Sequence, residues 1–137
     1  MNGCMRRIKT AADPFEPYAL SQAIAVDPWI FVSGQAALDE NGVVVGGHDF
    51  EAQARAAFAN LKAVLEAADA SLDDVVKVTL FMTDMRFFAD VIALRREFFK
   101  PPYPADSIIE VKALALPELM FEIEAIAMRG AGRNKHT

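Results

Sequence analysis

Residues 49–82 read DFEAQARAAFANLKAVLEAADASLDDVVKVTLFM. The first half carries Phe50, Ala54, Ala57, Phe58, Leu61, Val64, Leu65 and Ala68 at helical spacing behind Asp49, whose short carboxylate suits an N-cap. The second half changes period: VVKVTLFM (75–82) is a β-branched apolar run of strand length. A helix with so wide an apolar face, followed at once by a strand, predicts a helix lying on a sheet.

On the C-terminal side, Asp84 is a candidate cap for a second helix striped by Phe87, Val91, Leu94 and Phe98 and ended by Pro101 and Pro102. Two strand-like runs follow, SIIEVKA (107–113) and MFEIEAIAM (120–128), joined through Pro117. On the N-terminal side lie SQAIAV (21–26), WIFVSGQ (29–35) and VVV (43–45). The Asn-Gly pair in DENG (39–42) predicts a hairpin between the last two. The order βββαβαββ predicts an α+β domain with two helices packed on one face of a six-stranded sheet.

Both parities of WIFV and VVKVTLFM are mostly apolar, so both sheet faces need cover, and two helices cover one. The other face is expected to be buried against further copies of the chain. With 53% apolar residues among 137, the composition has room for such an interface beside a single-domain core at about 15–129, with flexible termini.

The formal charge is −5, and the basic residues are scattered apart from Arg6, Arg7 and Lys9 near one end and Arg129, Arg133 and Lys135 near the other. This argues against nucleic acid as a partner. The one cysteine, Cys4, forms no internal disulfide and is given no role, and no ligand spacing suggests a metal site. His48, ahead of the first helix, reads as a loop or capping residue. No apolar run approaches the length of a membrane span and no signal-peptide pattern is present, so a cytoplasmic protein is the expectation.

This order of elements, with SGQAALDENGVVVGG (33–47), the segment 51–85 and the closing EIEAIAMR (122–129), resembles the Rid (reactive intermediate deaminase, YjgF-like) family over roughly residues 15–129. The resemblance implies a chorismate-mutase-like fold, a homotrimer with a small-molecule cleft at each subunit interface, and no cofactor or metal. It also implies hydrolysis of enamines and imines such as 2-aminoacrylate to a 2-keto acid and ammonia. It assigns the Gly34 backbone to substrate binding, Glu122 to orienting the attacking water, and Phe88 to the cleft wall.

The departures from the family pattern bear on chemistry. The segment PARS, whose arginine grips the substrate carboxylate, reads PADS (104–107), placing Asp106 and the adjacent Ser107 at the substrate. The family's nearby cysteine is Ile108, its asparagine in the second helix is Ile92, and Arg95 falls where many members have tyrosine. In LSQA, Leu20 replaces a tyrosine, with Tyr18 two residues earlier.

An aspartate offers acceptors of the wrong sign for a carboxylate. Lys112 shares its strand parity but lies about 20 Å along the strand, too far to substitute. The expectation is therefore an acidic intersubunit cleft lined by Asp106, Glu122 and Gly34, weak or inactive toward standard 2-imino acids and suited to neutral or amine-bearing ligands. Two close carboxylates would also raise one pKa. The alternatives are an imine or enamine deaminase with an arginine from elsewhere, and a non-catalytic ligand-sensing or interaction trimer.

Overall fold

The computed structural model describes residues 3–134. Eight principal elements occur in the order β1 (Arg6–Ile8), β2 (Ala23–Val26), β3 (Trp29–Ala36), α1 (Phe50–Ala67), β4 (Val75–Met82), α2 (Phe88–Phe98), β5 (Ala105–Glu110) and β6 (Phe121–Met128). The strands form one sheet in the order β1-β2-β3-β6-β4-β5. All neighbours are antiparallel except β4 and β5, whose parallel pairing is allowed by the crossover through α2.

The string βββαβαββ is the expected one, but its first three members differ. The segment 43–45 makes a single bridge, Leu38 to Val44, and no strand. Asp39 Oδ1 accepts the backbone N–H groups of Asn41 and Val43, which closes a tight turn. Gly46 and Gly47, both at positive φ, then bend the chain into α1 before a ladder can grow. The sixth strand is instead β1, ahead of the anticipated core. Only Ile8 of its three residues is buried. A short edge strand bearing two arginines is a common way to blunt a sheet edge, and it leaves almost no hydrophobic signal.

Asp49 caps α1 as expected, its side chain accepting from the Ala52 N–H. Every apolar residue read onto the helix face is buried. Gln53, on the same face, is fully buried too. Its amide donates to the carbonyls of Gly47 and Glu118 at 2.7 and 2.8 Å and accepts from the Met120 N–H at 2.9 Å, tying the helix to the loop entering β6.

Asp84 caps a short 3-10 turn that leads into α2. Stacked rings join both helices to the sheet: Phe50 on Phe87 and Phe58 on Phe98, each with centroids 4.6 Å apart, around Phe121 of β6. On β6, Phe121, Ile123, Ala125 and Ala127 face the helices and are buried. Glu122, Glu124, Ile126 and Met128 alternate onto the other face. Among the described residues no helix covers that face, and Trp29, Phe31, Ile109 and Met128 are among its exposed large residues.

Candidate functional site

The sequence-predicted site residues fall into two groups on opposite faces of the sheet. The first is built where β3 is irregular: its register against β6 shifts between Val32 and Gln35, and Gly34 lies in that shift. The Glu122 side chain fills the space above Gly34. A Cβ built there would stand 2.5 Å from Glu122 Oε2, so only glycine lets the carboxyl approach the β3 backbone so closely.

Burial, and secondly repulsion from Glu124, push the Glu122 carboxyl above the usual carboxylate range. The carboxyl accepts no hydrogen bond among the described residues. It opens into a largely apolar cavity of about 460 Å³ with Tyr18, Leu20, Leu116 and Leu119 in its wall. The Ser33 hydroxyl beside it donates to the Ser21 carbonyl at 2.6 Å.

The second group lies between α2 and β5. Asp106 is paired in register with Val78, whose side chain is in the core, so Asp106 also points to the helix side. There it meets Arg95: Nε donates to Oδ2 at 2.7 Å and Nη2 to Oδ1 at 2.9 Å, a bidentate pair with side chains only 22% and 17% exposed. The pair lines a cavity of about 360 Å³ together with Ile92, Phe99 and Tyr103. The Nη1–Nη2 edge of the guanidinium takes part in no hydrogen bond among the described residues apart from the Nη2 bond to Asp106.

Glu122 pairs with Phe81 on the uncovered face, so Asp106 and Glu122 do not meet within one chain. The acidic cleft assumed an unpaired Asp106, whereas the observed pair has no net charge. Ser107 turns away from Asp106 onto the uncovered face, where its hydroxyl accepts from Lys77 Nζ at 3.0 Å. Phe88 is 41% exposed on the helix stripe shared with Ile92 and Arg95, one turn ahead of the cavity. Among the described residues, no cluster of three or more His, Cys, Asp or Glu could hold a metal ion, and no helix is long and apolar enough to cross a membrane.

Residues 8–129 match the family model described as Endoribonuclease L-PSP. The chain belongs to this family, the Rid family of the resemblance. A RutC family protein of Pyrococcus abyssi is 42% identical over 120 residues, covering 87% of this chain and 91% of that protein. The human 2-iminobutanoate/2-iminopropanoate deaminase is 36% identical over 132 residues, covering 95% of each. The crystal structure of RidA from the Antarctic bacterium Psychrobacter superposes with a TM-score of 0.82 at 35% identity, over 90% of this chain and 98% of that one.

Set against the Rid pattern, two departures become one. The resemblance implies an arginine on β5 where this chain has Asp106, and in many members a tyrosine on α2 where it has Arg95. These two residues bond to each other. Sequence reasoning took them singly because residues 11 apart on a helix and a strand share no periodicity. Their joint departure was the available signal.

Proposed function

We propose that this chain is a Rid-type small-molecule protein that works at a cleft between copies and hydrolyses small 2-imino acids poorly. The observation that carries this reading is the bidentate Arg95–Asp106 pair. A carboxylate about 4 Å from an unpaired guanidinium gains roughly 4 kcal/mol at an effective dielectric of about 20. An aspartate about 6 Å from the same carboxylate gives back roughly 3 kcal/mol. A deficit of that size is on the order of a hundredfold in rate or affinity.

The uncovered sheet face supports assembly as a homotrimer, the state implied by the resemblance. A neighbouring copy then brings the Glu122–Gly34 group of one chain toward the Arg95–Asp106 group of another. In the cleft, water adds to the carbon of a C=N bond, the raised Glu122 carboxyl takes up and returns its proton, and the tetrahedral adduct releases ammonia and a carbonyl product. The family description names an endoribonuclease, but a net charge of −5 opposes binding of a phosphate backbone.

The same pair favours a second reading, in which the open Nη1–Nη2 edge of Arg95 anchors a carboxylate directly and hydrolysis is fast. The deciding assay traps 2-iminopropionate with semicarbazide as it is generated by an amino acid oxidase. Wild type is compared with an arginine-bearing Rid protein and with the double variant Arg95→Tyr/Asp106→Arg. Slow wild-type hydrolysis and a gain in the double variant support the first reading. Wild-type hydrolysis as fast as the arginine-bearing protein overturns it in favour of the second.

A further inference from the structure

We propose that the Arg95–Asp106 pair makes the α2–β5 cavity selective for a small uncharged ligand bearing a carboxamide, over the corresponding carboxylate. The inference rests on the preceding reading that this cavity is part of the ligand cleft, and names the ligand class it takes. The pair presents donors and acceptors side by side. Nε and Nη2 are bonded to Asp106, leaving the outward Nη1–Nη2 edge to donate, and the remaining lone pairs of Oδ1 and Oδ2 to accept.

A carboxamide matches both halves, its carbonyl accepting from the guanidinium and its NH2 donating to Asp106. A carboxylate matches one half. It has no proton for the aspartate, and its charge faces another of the same sign. Both side chains are mostly buried, so a ligand that displaced water without satisfying the Asp106 lone pairs would leave an expensive unpaired acceptor. Ile92, Phe99 and Tyr103 give the cavity an apolar wall that suits a short aliphatic or planar remainder.

The pair also fixes the geometry before a ligand arrives. A guanidinium held at two points loses little further freedom on binding, so Asp106 acts as a positioning residue as well as an acceptor.

The experiment is a titration of the full chain with 2-oxobutanamide and 2-oxobutyrate, matched in size, followed by calorimetry and by ligand-observed NMR. For wild type, the amide is expected to bind at least about tenfold tighter than the acid, a comparison that needs no variant. Asp106→Asn is expected to shift the ratio toward the acid by at least about tenfold, because it removes the opposing charge and frees Arg95. Arg95→Gln, checked for folding by its amide NMR spectrum, is expected to weaken both probes.

If the acid binds wild type as tightly as the amide, or if Asp106→Asn leaves the ratio unchanged, the carboxamide assignment falls while the cleft reading stands. If neither probe binds wild type or Asp106→Asn, the cavity is no ligand site, and both fall.

Discussion

At Gly34 a single methyl group would decide the site. A Cβ there overlaps the Glu122 carboxyl, and with backbone on one side the glutamate must swing away. Gly34→Ala is expected to abolish any hydrolysis that Glu122 supports while leaving the Arg95–Asp106 cavity able to bind its ligand. Retained wild-type hydrolysis in that variant would remove Glu122 from the mechanism.

Glu122 also leaves a signature in stability. Its carboxyl is raised in the folded chain, so the native state binds more protons than the unfolded chain between the ordinary carboxylate value and the raised one. Stability should therefore fall as pH rises through that window, and Glu122→Gln should be the more stable protein above it, the difference vanishing at lower pH. Denaturant midpoints at several pH values check this, and a Gln variant less stable at neutral pH would contradict it. Gly34 and Glu122 could be singled out in the sequence because each sits inside a distinctive motif. The partnership of Arg95 with Asp106 was not, since a contact between a helix and a strand is set by packing and leaves no local pattern.

Among the elements, α1 was almost wholly legible. Its apolar spacing and its Asp49 cap carry through into the structure, because a wide stripe on a sheet leaves few other solutions. Replacing Asp49 by Ala should cost about 1 kcal/mol, a typical value for a lost N-cap. Gln53 is the exception on that face, polar in sequence and fully buried in the fold. Gln53→Leu removes the three hydrogen bonds its amide makes to Gly47, Glu118 and Met120, at about 1 kcal/mol each, and should cost about 3 kcal/mol. Urea unfolding of the two variants should therefore rank Gln53→Leu well below Asp49→Ala. The segment 43–45 and β1 were misread for opposite reasons. Three valines have high strand propensity but lack a ladder partner beyond one bridge, whereas Arg6–Ile8 has little propensity signal and a full register with β2.

For the whole molecule, the sheet is covered by helices on one face and leaves Trp29, Phe31 and Met128 exposed on the other. Strands apolar on both parities carry this feature in the sequence itself, because a one-sided layer cannot satisfy them. If copies of the chain cover that face, Phe31→Asp should lower the mass measured by light scattering from that of an assembly to that of one chain. It should also abolish cleft chemistry, since the two halves of the site lie on opposite faces of each protomer. A variant that stays assembled would mean this face is not the interface.

The central claim is that Asp106 neutralises a guanidinium standing where the Rid family anchors its substrate. The most direct test is kcat/KM for 2-iminopropionate hydrolysis by wild type and Asp106→Asn, measured side by side. Freeing Arg95 should raise kcat/KM by about tenfold or more from a low wild-type value. An unchanged or lower value in the variant, or a wild type already as fast as its arginine-bearing relatives, would contradict the account.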